Sequence, residues 1–285
     1  MKRTLAVLAA VALTAACAAP TQPSHPVPSS TAVSATAPSI PSPLPTTPPT
    51  VPVDDLSADF VSSSAGIPAQ VSVAVFSGST VRSFGTWSDG PAWSTIKVPL
   101  AIAALRAAPE AAEAFLTAAI TRSDNAAAES LWSLLGDPPV AAEAVGEVLR
   151  ETGDDATIVQ SVRERAGFTA FGQTRWPLEA QARFAWALPC VPGSGPVIAD
   201  MRHIVDDQSW GLADDETAAK GGWGPGVNGK YLVRQMATLE VADGAIGVAL
   251  AAEPDDGTFT SGVTATNLLA EWVRNHRDRF AATRC

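Results

Sequence analysis

Lysine is scarce in this chain: only Lys2, Lys97, Lys220 and Lys230 occur among 285 residues. Histidine is scarcer, with His25, His203 and His276 standing singly. Without an H-x-H or H-x-x-x-H pair there is no ligand set for a zinc or di-metal hydrolase, so neither a metal nor another cofactor is expected. Basic clusters are absent and the formal net charge is −10, which excludes a basic footprint for nucleic acid or for an anionic membrane surface. No apolar run is long enough to cross a bilayer. What the chain does have is an apolar content of 46%, enough for a sizeable core.

The N-terminus reads MKRTLAVLAAVALTAAC: a basic start, an apolar run from Leu5 to Leu13, and small residues up to Cys17. That is the layout of an export signal over residues 1–16. Thr14-Ala15-Ala16-Cys17 is similar to a bacterial lipobox, which makes Cys17 a lipidation site. An ordinary secretory signal with an incidental cysteine is the alternative. Residues 18–53 hold 11 of the 23 prolines, interleaved with Ser, Thr and Ala and free of charge. Such a segment cannot bury a core and is expected to be an extended tether. The folded domain is therefore expected over 54–285, exported and anchored to the cell membrane facing the wall or periplasm, as a monomer. Cys190 and Cys285 remain, and an oxidising location permits them to pair without requiring it.

VSVAVF (71–76) reads as a strand, with a second short one around Val81–Phe84. Helical periodicity then runs after Ser94 and through 110–121, 124–135, 138–151 and 177–188, with a less regular stretch at 153–176. Strands return at 217–223, 230–241 and 244–252, and an amphipathic helix closes the chain. The order predicts an α+β fold: one antiparallel five-stranded sheet assembled from both chain ends, flanked by helices, with an all-helical lobe inserted. A site is expected in the cleft between sheet and lobe.

One of the rare lysines falls in AWSTIKVPL, three residues after Ser94, inside an apolar stretch. On a helix the i, i+3 pair shares a face. A partly desolvated lysine has a depressed pKa and can take a serine proton. Ser123-Asp124-Asn125 opens the next-but-one helix, where it also serves as a capping triplet. Lys220-Gly221-Gly222 lies on the first late strand.

In this order the three segments resemble the S-x-x-K, S-D-N and K-T-G set of the serine penicillin-recognising enzymes, class A β-lactamases above all. ETGDDAT (151–157) and TRWP (174–177) resemble the entry to and exit from that family's Ω-loop. The resemblance implies Ser94 as nucleophile, Lys97 as its base, and Ser123 as proton relay to the leaving nitrogen. It implies Asn125, Lys220, Gly222 and Arg234 in substrate binding, with the N–H groups of Ser94 and Trp223 as oxyanion hole. Substrates would be β-lactams or peptidoglycan-peptide-like amides. Three departures stand out. Gly221 replaces a substrate-binding hydroxyl, so Gly221→Thr is expected to improve acylation if carboxylates dock there. Ser94 and Ser123 are only 29 positions apart, which implies a shortened lobe and a more open site. The loop lacks E-x-x-L-N, leaving Glu164 either as the water-activating base or as a solvated carboxylate between Arg163 and Arg165. Slow deacylation follows, with a penicillin-binding DD-peptidase-like protein or a non-catalytic binding module as rival readings.

Overall fold

The computed structural model describes residues 55–285 apart from 79, 214–216 and 243. The export signal, Cys17 and the tether lie outside the described residues.

The chain opens with a helix absent from the sequence expectations, α1 (Asp55–Ser64), whose Leu56 and Phe60 sit one turn apart and are buried. Two antiparallel strands follow, β1 (Ala69–Ser77) and β2 (Thr80–Gly85). A helical lobe comes next: α2 (Lys97–Ala107), α3 (Pro109–Thr121), α4 (Asn125–Leu134) and α5 (Pro138–Arg150). Pro109 and Pro138 begin their helices, where a missing N–H removes no bond. After the irregular stretch come α6 (Leu178–Ala187) and a short α7 (Gly195–Met201), the second helix not foreseen. Then β3 (Ala218–Pro225), β4 (Tyr231–Val241), β5 (Gly244–Pro254) and α8 (Phe259–His276) complete the chain.

The sheet order is β2-β1-β5-β4-β3, antiparallel throughout, so the two chain ends meet at the β1–β5 pair and β3 forms an edge. Strand alternation sorts the core into two faces. Val73 and Val75 point to α1 and α8, packing with Phe60, Leu250, Leu269 and Val273. Ala74 and Phe76 point the other way, onto Leu178 and Ala182 of α6. At Gly247 a Cβ would lie 2.0 Å from the Ala182 carbonyl, so only glycine lets α6 seat this closely on β5. A third cluster, built on Ile96, Leu100, Ile120, Leu131 and Leu149, is the lobe's own core. Cys190 and Cys285 form a disulfide with Cα atoms 6.0 Å apart, closing the C-terminus onto the end of α6.

Candidate active site

The nucleophile segment is a 3-10 turn, Trp93–Ile96, that runs directly into α2. Ser94 is half-buried, whereas Lys97, the first residue of α2, is 1% exposed. Trp93 carries φ 51°, a left-handed conformation that a bulky residue avoids. Strain of this kind persists only where surrounding contacts over-determine it, and here they do. The indole is buried over Gly224 and against Phe168, with ring centroids 5.3 Å apart. Thr95 gives its hydroxyl proton to the Ala92 carbonyl and accepts from Gln181 of α6, which fixes the turn from below.

The second segment meets the first through Lys97. Its Nζ donates to the Ser123 carbonyl, to the Ser123 hydroxyl at 3.3 Å, and to Asn125 Oδ1 at 2.8 Å. Asp124 between them accepts from the Ala127 N–H and caps α4, so the triplet is both a cap and a site element. Ser123, held at φ 55° just outside the helix, is thereby turned towards the lysine.

The third segment supplies a second ammonium to the same hydroxyl. Lys220 Nζ lies 2.8 Å from Ser123 Oγ and 3.1 Å from the Gly221 carbonyl, and the residue is fully buried. Gly222 explains how β3 comes so near: a Cβ there would fall 2.9 Å from the Ser94 amide nitrogen and 2.9 Å from the Ala92 carbonyl. Only glycine permits this approach.

The electrostatics are unusual. Two ammonium groups converge on one hydroxyl, and among the described residues neither has a carboxylate hydrogen-bond or ion-pair partner. Burial lowers the Lys97 pKa to about 7, partly opposed by Asp124. Lys220 is pushed well below its ordinary value by burial and then by Lys97. A neutral amine is therefore accessible at Lys97 near pH 7, which is what proton abstraction requires. In the resting geometry the Ser94 hydroxyl has no hydrogen-bond partner among the described residues. The lysine must swing towards it, or act through Ser123.

Two of the expected site residues are engaged elsewhere in the fold. Arg234 is fully buried. Nη1 donates to the Gly90 and Pro91 carbonyls at 3.0 Å, and Nη2 to the Trp176 carbonyl at 3.0 Å and Gln181 Oε1 at 2.9 Å. With Nε also facing Gln181 and the guanidinium over the Trp87 ring, every donor is committed to the scaffold beneath the nucleophile turn. Burial lowers even this group's pKa, to about 9, against the opposing pull of Asp89.

Of the two readings of Glu164, its surroundings match the solvated carboxylate. It is exposed and accepts from Gln160 Nε2 at 2.6 Å, a local loop contact. Its neighbours explain why it faces outward. Arg163 crosses to Glu129 on α4, and Arg165 reaches the Pro225 carbonyl at 2.6 Å while its guanidinium covers Phe168. The loop is thus clasped to both lobes by arginines, with the carboxylate left in solvent. Arg165 and Phe168 were not foreseen, and no spacing signal marks them.

A third expectation, that Gly221→Thr improves acylation, meets a steric obstacle. Side chains of β3 alternate, so Gly221 faces away from Ser94, where a Cβ would lie 2.6 Å from Trp210 Cζ2. The indole of Trp210 occupies the volume a threonine would need. Gln235, fully buried on β4, holds it there by donating to the Trp210 carbonyl and accepting from the Leu212 N–H. A cavity of about 770 Å³ beside the disulfide, lined among others by Trp186, Ile198 and Glu240, contains none of these residues.

The antiparallel sheet and the inserted helical lobe bring the three short motifs together between them. No family model matches the chain, and no curated protein does. Solved structures do match. A class A β-lactamase from Bacteroides cellulosilyticus superposes with a TM-score of 0.65 at 13% identity, covering 79% of this chain and 97% of that one. The TLA-3 extended-spectrum β-lactamase gives 0.63 at 12%, covering 79% and 99%. A β-lactamase from Streptosporangium roseum gives 0.58 at 14%, covering 77% and 97%. The chain has the class A β-lactamase fold.

Proposed function

We propose that this protein is a serine acyl-transfer hydrolase that acts on β-lactam or peptidoglycan-peptide-like amides and releases its acyl-enzyme slowly. The observation that carries the reading is Lys97: a buried amine beside the nucleophile turn, bonded to Ser123 and Asn125 and with no carboxylate partner among the described residues. A lysine placed so is tuned for proton transfer rather than for ion pairing.

In the reaction Ser94 Oγ attacks the carbonyl carbon while neutral Lys97 takes the hydroxyl proton. The developing oxyanion is received by the N–H groups of Ser94 and Trp223. As the C–N bond breaks, Ser123 hands a proton to the leaving nitrogen and is replenished from Lys97. Lys220 holds the Ser123 hydroxyl in place and adds positive potential. Asn125 binds the substrate amide and orients Lys97. Water activation has no evident carboxylate, since Glu164 faces solvent, and deacylation is the slow step. Anchoring through Cys17 to the membrane, with the tether carrying the domain outward, belongs to the same proposal and predicts lipid incorporation that Cys17→Ser abolishes.

A fluorescent penicillin incubated with the full chain, Ser94→Ala and Lys97→Ala tests the reading. Covalent label on the wild type alone is expected. Label on Ser94→Ala, or none on a folded wild type, would overturn it, the latter in favour of a binding module.

A further inference from the structure

The cavity of about 770 Å³ beside the disulfide holds none of the acylation residues, and its volume lies in the range of small-molecule sites. Residues 283–285 form part of its lining, and three contacts hold them there. The Cys190–Cys285 bridge ties them to the end of α6. Thr283 pairs with Ala245 of β5, and its hydroxyl accepts the Trp186 indole N–H at 3.2 Å. At Gly244 a Cβ would lie 2.6 Å from the Thr283 carbonyl oxygen, so only glycine lets the segment seat this closely on β5. The half-buried Trp186 ring is also packed on Phe76, with centroids 5.0 Å apart, so its orientation is fixed before any ligand arrives. Val191 and Ile198 extend the apolar lining, while Gly195 contributes bare backbone where even a Cβ would meet nothing within 4 Å. Two guanidinium groups complete it. Arg202 is paired with Glu240 at 2.6 Å, whereas Arg284 is exposed and has no ion-pair partner among the described residues.

We propose that this cavity is a second binding site, for a small amphipathic anion whose apolar body lies against Trp186, Val191 and Ile198 and whose acidic group meets Arg284. The proposal stands apart from the acyl-transfer reading and does not need it. An apolar body leaves water for an indole face already held in place, so little ordering opposes the gain. The acidic group finds a planar donor fork that no carboxylate among the described residues occupies, the geometry that suits carboxylate, sulfonate or phosphate. The net charge of −10 opposes any anion. At physiological salt that field is screened beyond about 8 Å, whereas a contact pair is screened much less.

Two fluorescent probes test it on the full chain: anilinonaphthalene sulfonate, and phenylnaphthylamine, which has the same rings without the acidic group. The sulfonate is expected to bind saturably and about three- to fivefold tighter than the neutral amine. Arg284→Gln should abolish that preference and leave the affinity for the amine unchanged. Ile198→Glu, which sets a carboxylate among the apolar walls, should weaken both probes by about tenfold or more. If that variant unfolds, the bridge gives an independent readout, because both cysteines line the cavity. Saturating sulfonate should slow reduction of Cys190–Cys285 by dithiothreitol at least about threefold. Saturating benzylpenicillin should displace neither probe, and displacement would place them in the acylation cleft and overturn the proposal. Absence of saturable binding, equal affinity for the two probes, a preference that survives Arg284→Gln, undiminished binding to a folded Ile198→Glu, or an unprotected bridge would each overturn it as well. None of these results bears on whether Ser94 is acylated.

Discussion

Acidification is the perturbation that reaches Lys97 most directly. Only the neutral amine can accept the Ser94 proton, and the Lys97 pKa lies at about 7 instead of 10.5. At pH 5 roughly 1% of the site is neutral, at pH 6 about a tenth, and above pH 8 nearly all of it. Acylation should therefore rise about tenfold per pH unit up to 7 and level off beyond. Stability carries the same sign. Between pH 7 and 10.5 the unfolded chain binds a proton at this lysine that the folded chain does not, so raising the pH through that window favours folding. Below pH 7 both states are protonated and the penalty of burying the charge is fully present. The shift of 3.5 units corresponds to an upper bound of about 5 kcal/mol. Lys220, depressed by burial and by Lys97, adds in the same direction. Single-turnover acylation measured from pH 5 to 9, alongside denaturant midpoints on the same samples, checks both. A flat rate profile, or a midpoint near 10, would refute the assignment of Lys97 as the base.

Gly221→Thr should lower the melting temperature and give no gain in acylation, because its Cβ alone would meet the Trp210 ring at 2.6 Å. Faster acylation with unchanged melting would show that Trp210 yields readily. Arg234→Met leaves the carbonyls of Gly90, Pro91 and Trp176 and the Gln181 side chain without their donor, at about 1–3 kcal/mol each. The loss should reach at least ~4 kcal/mol, a large share of ordinary domain stability, and chemical denaturation would read it. Reducing the Cys190–Cys285 bridge, which spans 95 residues, should destabilise the domain by up to about 4–5 kcal/mol in the chain-entropy account. A denaturation midpoint unchanged by reductant would show that the bridge constrains little.

Periodicity made the lobe legible. The apolar spacing of α3, α4 and α5, and the alternation in β1, β4 and β5, follow from residues that each element buries on its own account. α1 escaped notice although Leu56 and Phe60 have helical spacing, because a ten-residue segment beside a proline-rich tract offers little signal. α7 is shorter still, and its position follows from packing against α3 and β3 rather than from its own pattern. At the site, Ser94, Lys97, Ser123, Asn125 and Lys220 could be read because the motifs hold local spacing. The scaffold bonds of Arg234 were not legible, because none of them is local to its strand. Its partners lie 53 to 144 residues away. Trp210 was invisible for the same reason: nothing in sequence places an indole over Gly221.

The lifetime of the acyl-enzyme tests the account most directly. The full chain would be acylated with benzylpenicillin or its methyl ester, freed of excess drug, and followed by intact mass, with Ser94→Ala alongside. A single adduct on Ser94 that persists after the drug is removed, and is absent from the variant, is the predicted result. Steady consumption of the drug with no accumulated adduct, abolished in Ser94→Ala, would contradict it. Water would then be activated by a group that the hydrogen-bonded cluster around Lys97 does not contain.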